Sequence, residues 1–136
     1  ANADADEHAA AHAFLTGIGR TADPWYLTDG ILYEFLRVAT HPKVFPHPLG
    51  WRDGLSFLQP FLEAENVHIL QAADGHWGTL ATTLAGLTHP SGNLFFDVRT
   101  AVLMREHGLR RIYTTDTDFL QFGDLEVVNP LREHRP

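Results

Sequence analysis

The sequence predicts an α/β protein, a three-layer α/β/α sandwich on a mainly parallel sheet. Three observations predict it. Segments with helical apolar spacing alternate with short runs of β-forming residues. The stretch Arg111-Ile112-Tyr113-Thr114-Thr115-Asp116-Thr117-Asp118-Phe119 reads as a short buried strand that stops at turn formers and two carboxylates. Upstream of it an amphipathic helix closes at Gly108, so helix, loop and strand follow in the order that a parallel sheet needs. Ligands gather outside the carboxyl ends of such strands, which is where Asp116 and Asp118 fall.

The elements follow in order. Asp4 or Asp6 caps a first helix over residues 7–17, rich in alanine, with Phe14 and Leu15 in its apolar stripe. Pro24-Trp25-Tyr26-Leu27 is a short strand. Thr28 or Asp29 caps a second helix that ends near Ala39 or Thr40, because His41 precedes Pro42 and a residue before proline avoids the helical region. Residues 43–50 form a loop stiffened by Pro46 and Pro48. A third helix covers 51–64, with Leu55, Leu58 and Leu62 at helical spacing and a kink or break expected at Pro60. Residues 67–70 are a strand. Asp74 caps a fourth helix to about Leu87, and His89-Pro90-Ser91-Gly92 is a turn. Asn93 starts a fifth helix that runs to His107, and a last strand covers 125–128. One domain spans 1–136, since this length supports a single core and no repeat or linker divides it.

Composition narrows the function classes. With 44% hydrophobic and 20% charged residues the chain has globular composition. It has no cysteine, which excludes disulfides and thiolate metal sites. No apolar run approaches the ~18 residues of a membrane span, and the N-terminal residues lack the pattern of a signal peptide. A net charge of −7 argues against a broad basic nucleic-acid surface. It leaves room for an enzyme that meets phosphates through a metal ion held by carboxylates.

Several carboxylates stand out. Asp97 lies one turn inside the fifth helix, and its neighbours three before, four after and seven after are Leu94, Ala101 and Met104. A charge on that apolar face is costly unless paired or metal-bound; the structural alternative is a first-turn acid on the helix dipole, worth about 0.3–1 kcal/mol. Glu34 is a lone carboxylate in an apolar helix, with an i,i+3 pair to Arg37 as its structural alternative. For Asp116 and Asp118 the alternative is a cap or Asx-turn, strongest for Asp118, which leaves Asp116 as the better ligand. Carboxylates from three elements suit Mg²⁺ or Mn²⁺, hard cations that take oxygen ligands. His8 and His12, at i,i+4, have zinc-ligand spacing but lack a third ligand and read as a solvated face. His68 and His76 could serve a two-histidine nuclease, although no spacing selects them. Nucleophile-elbow, Walker and dinucleotide motifs are absent.

Four motifs in order, Glu34-Phe35-Leu36-Arg37-Val38-Ala39-Thr40-His41-Pro42, Gly92-Asn93-Leu94 leading to Asp97, Thr114-Thr115-Asp116-Thr117-Asp118-Phe119, and Asn129-Pro130-Leu131, resemble a PIN-domain protein, VapC-type toxins of bacterial toxin–antitoxin pairs in particular. The resemblance covers essentially the whole chain. It implies a cytoplasmic, Mg²⁺- or Mn²⁺-dependent endoribonuclease and a homodimer neutralised by a VapB-like antitoxin. Its RNA target would be a tRNA or rRNA site selected by surface loops, with residues 43–52 as a candidate surface. By motif position Glu34, Asp97 and Asp116 correspond to the family's acidic metal ligands. Asp118 corresponds to its supporting acid, and Thr115 to the hydroxyl residue that holds the ligand.

One part of the family pattern has no counterpart in residues 1–136: the opening strand Asp-x-Asn-x-Leu that carries the first acidic ligand at the centre of the sheet. Asn2, Asp4 and Asp6 follow no strand and are not given that role. The expectation is that the sequence lacks the protein's start; the alternatives are a strand on a second chain, or a relative that has lost its chemistry. Two rival functions follow: a catalytically inactive PIN-like binding module, and a metal-dependent nuclease acting on other nucleic acid.

Overall fold

The structure is a computed structural model, and it describes residues 23–42 and 47–130. The expected helix at 7–17, with Asp4, Asp6, His8 and His12, lies outside the described residues, as do Leu131 and the 43–46 part of the loop. The described residues are mixed α/β and fall into two compact units, 23–70 and 71–130.

The first unit is β1 (Trp25–Thr28), α1 (Asp29–Ala39), α2 (Trp51–Glu63) and β2 (Val67–Leu70). β1 and β2 pair in parallel, with Trp25 opposite Val67 and Thr28 opposite Leu70. Thr28 ends the strand and starts the helix. Its backbone is extended, and its buried hydroxyl accepts the Ile31 N–H at 3.1 Å, supplying a donor's partner at the N-terminus. Asn66 ties the sheet's entrance: its carbonyl accepts the Trp25 N–H at 2.7 Å and its amide donates to the Asp23 carbonyl at 3.1 Å. α1 and α2 pack through Phe35 stacked on Phe57, ring centroids 5.1 Å apart. They approach closely at Gly54, where a Cβ would stand 2.9 Å from Leu36 Cδ2. The expected break at Pro60 does not occur; α2 continues through it to Glu63.

The second unit is α3 (His76–Ala85), α4 (Leu94–Glu106), β3 (Arg111–Tyr113), a 3₁₀ helix (Thr117–Gln121) and β4 (Glu126–Val128). β3 and β4 are also parallel, with Ile112 opposite Val127. α4 is the centre of this unit. Val98, Ala101, Val102 and Leu103 are fully buried, and Phe119 and Phe122 from the 3₁₀ segment complete the core. α4 ends as the sequence predicts. Gly108 takes φ +68°, its N–H reaches the Arg105 carbonyl at 3.2 Å, and the Leu109 N–H reaches the Met104 carbonyl at 2.9 Å. These two bonds satisfy carbonyls that the helix leaves open.

The start of α3 differs from the sequence expectation. The residue before it is Gly75, with no side-chain cap, and Asp74 does not cap the helix. The first turn is held from elsewhere in the unit: the Glu106 carboxylate accepts the Ala73 N–H at 2.7 Å and meets His76 Nδ1 at 2.6 Å. Burial raises the pKa of Glu106, but the His76 bond, the Ala73 N–H and the His76 and His107 charges outweigh it and hold the value below the ordinary one. Arg105 makes a second lock, bidentate to Asp124 and 2.8 Å from the buried Thr83 hydroxyl.

Candidate metal site

Asp97, Asp116 and Asp118 each offer a carboxylate oxygen to one cluster, all within 4.8 Å of one another. Two local structures produce it. Asp97 rides on the first turn of α4, above Ala101 and Met104, whose burial fixes which way that face of the helix points. Asp116 and Asp118 lie just past β3. The Thr114 N–H still pairs with the Val128 carbonyl at 2.9 Å, and then the ladder stops. The Thr114 hydroxyl accepts the Asp116 N–H at 3.0 Å and the Asp116 carboxylate accepts the Asp118 N–H at 2.8 Å, two successive side-chain turns. Phe119 then inserts into the core against Phe122, with ring centroids 5.8 Å apart, and pins the loop below the acids.

The capping roles are reversed from the sequence expectation. Asp116, the better ligand on sequence grounds, is the cap of the 3₁₀ helix, whereas Asp118 is the residue whose N–H is capped. Capping uses Asp116 Oδ1, and the carboxylate has a second oxygen and further lone pairs. The hydroxyl that meets this loop's backbone belongs to Thr114, while Thr115 is exposed. A threonine two residues before an aspartate was the sequence signal for that turn.

The electrostatics indicate excess negative charge. Asp97 is half-buried, and its pKa rises from 3.8 to about 6, first because burial disfavours its charged form and then because Asp116 and Asp118 repel it. A divalent cation would relieve both causes. A donor set of three carboxylates suits a hard, oxygen-seeking ion such as Mg²⁺ or Mn²⁺.

Glu34 lies in the first unit. Its carboxylate is exposed and is gripped by Arg37 in a two-point bond, with Nε 3.1 Å from one oxygen, so its pKa is lowered chiefly by that hydrogen bond. His68 and His76, the two candidates for acid–base work, each meet another side chain. His68 packs on Tyr26 with ring centroids 5.5 Å apart, and His76 pairs with Glu106. In the candidate RNA surface, the Arg52 guanidinium lies 4.5 Å from the Trp51 ring centroid. No described helix is long and apolar enough to cross a membrane.

No protein-family model matches the chain. Individual proteins do. It is 32% identical over 127 residues to Ribonuclease VapC33 of Mycobacterium tuberculosis, an alignment covering 93% of this chain and 87% of that protein. It is 31% identical over 117 residues to Ribonuclease VapC48 of the same organism, covering 86% and 77%. Ribonuclease VapC43 is 28% identical over 129 residues, covering 95% and 86%. The similarity covers most of the chain and agrees with the motif resemblance in the sequence, and the chain therefore belongs to the VapC family of PIN-domain ribonucleases.

Proposed function

We propose that this VapC-family protein is a metal-dependent endoribonuclease whose ion is held by Asp97, Asp116 and Asp118. The observation that carries this reading is the convergence of three carboxylate oxygens within 4.8 Å, with Asp97 pushed up to about 6 by burial and by its two acidic neighbours. Mg²⁺ or Mn²⁺ bound there would polarise an RNA phosphodiester and make water a competent nucleophile. The protein's part is placement. α4 supplies the backbone for Asp97, and the Thr114 and Asp116 turns hold the loop that carries the other two acids. Glu34 enters as a fourth acid, with Arg37 as its supporting residue and Thr115 as a loop neighbour, on the strength of the family resemblance.

A VapB-like antitoxin, an RNA target among tRNA or rRNA, a homodimer and one PIN-like domain with a three-layer sheet belong to the same proposal.

The test is RNA cleavage by the protein with Mn²⁺ against EDTA, alongside Asp116→Asn and calorimetric Mn²⁺ binding. Cleavage with Mn²⁺ alone, lost in the variant, is the expected result. Equal cleavage by the variant would remove Asp116 from the metal site. Antitoxin binding without Mn²⁺ affinity would favour an inactive binding module, and cleavage of DNA in preference to RNA would favour the other nuclease class.

A further inference from the structure

Phe96 immediately precedes Asp97, and the residue is 74% exposed. Apolar side chains scattered singly on a surface need no explanation. Three features set this one apart. The first is its place: consecutive Cα atoms are about 3.8 Å apart, so the ring and the carboxylate leave neighbouring points of one helical turn, about 100° apart around the axis. The second is its helical surroundings. The positions three and four residues away are Gly92, Asn93, Arg99 and Thr100, none of which carries an apolar side chain. The third is rigidity. The Phe96 N–H reaches the Asn93 carbonyl at 3.1 Å and its own carbonyl accepts the Thr100 hydroxyl at 3.3 Å, so its backbone is held at both ends of the turn.

A ring held out to solvent on a fixed backbone is a platform for stacking. Proteins that bind single-stranded nucleic acid use such rings, because every base has a π-face and an unpaired base leaves that face open. In RNA only one sugar separates a phosphate from its base, so a phosphodiester presented to the Asp97 end of α4 brings a base into the neighbourhood of the Phe96 ring. The chain's net charge of −7 gives it little general attraction for a polyanion, so contacts made by bases rather than phosphates matter more here than in a basic protein.

We propose that Phe96 is a substrate-positioning residue, its exposed ring stacking on an unpaired base of the RNA whose phosphodiester lies at the Asp97, Asp116 and Asp118 carboxylates. The inference rests on the ribonuclease reading. It assigns Phe96 to substrate binding and gives it no part in proton transfer or in holding the ion.

The test compares the protein with Phe96→Leu, which keeps an apolar helix former but no ring, and Phe96→Trp, which keeps a ring. The probes are a fluorescent hexauridylate and an abasic ribose-phosphate strand of equal length, each titrated with Ca²⁺ and again in EDTA, with Mn²⁺ calorimetry on all three proteins. The base-bearing strand is expected to bind the wild type about tenfold tighter than the abasic strand. Phe96→Leu is expected to bring that ratio close to one, and Phe96→Trp to keep it, with Mn²⁺ affinity equal in all three. In RNA cleavage Phe96→Leu should raise KM with little change in kcat. An unchanged ratio in Phe96→Leu, no base preference in the wild type, or an equal loss on both strands would overturn the proposal. Loss of the ribonuclease reading has a different signature, wild-type protein with no Mn²⁺ affinity, and the EDTA titration still judges the stacking role in that case.

Discussion

The Asp116 carboxylate accepts the backbone N–H of Asp118 at 2.8 Å, so one side chain both caps the 3₁₀ helix and faces Asp97. The loop acids are thus set by a local turn, and two substitutions at one position separate its jobs. Asp116→Asn keeps an oxygen for the cap and loses the charge. Its urea midpoint should stay near wild type while Mn²⁺ affinity falls at least tenfold. Asp116→Ala loses both, with about 1 kcal/mol of stability going with the cap. Equal stability of the two variants would show that the cap contributes nothing.

Asp97 predicts how stability depends on pH. Between 3.8 and about 6 the folded protein holds a proton that the unfolded chain has released, so the slope of unfolding free energy against pH is negative. Stability attributable to Asp97 therefore falls as pH rises through that window and is level above it. Asp97→Asn removes the effect. In EDTA it should be more stable than wild type at pH 7, by up to about 1 kcal/mol after solvent screening, and similar to it near pH 4. Parallel wild-type and variant curves across that range would contradict the electrostatic origin. Metal binding should strengthen as pH rises through about 6, because the ion competes with the Asp97 proton.

Glu106 carries the opposite sign. Its pKa is held below the ordinary 4.5, so the stability it contributes is complete above pH 4.5 and is lost as pH falls through the folded-state value. Its side chain is 3% exposed and anchors both the Ala73 N–H and His76. Glu106→Ala should cost about 2 kcal/mol in urea denaturation at pH 7. Amide exchange should speed up first at residues 73–76; uniform acceleration across the unit would mean that the pair acts globally instead.

Gly108 tests the end of α4. Its φ of +68° is strained for other residues, yet nothing lies within 4 Å of where a Cβ would stand. Gly108→Ala should therefore cost about 1–2 kcal/mol through backbone strain alone. Gly108→Asn should cost less, because Asn tolerates this region. An equal cost for both would point to a steric cause that the structure does not contain.

Local chemistry made much of the protein legible in its sequence. Thr28 ahead of an apolar helix, Gly108 behind one, and the Ile112-Tyr113 run before turn formers are each decided by a few neighbouring residues, and the elements form where those signals fall. Asp97 showed itself as a charge on an apolar helical face, and Asp116 and Asp118 as acids at a strand end. What needed tertiary structure was everything set by residues distant in sequence. The start of α3 is held by Glu106, thirty residues beyond His76, so no local pattern could reveal that Asp74 does not cap it. The raised pKa of Asp97 depended first on its burial and then on the approach of two acids from the end of β3. Sequence spacing determines the face of an element on which a group lies; only packing decides which groups meet, because burial and charge act through space and not along the chain.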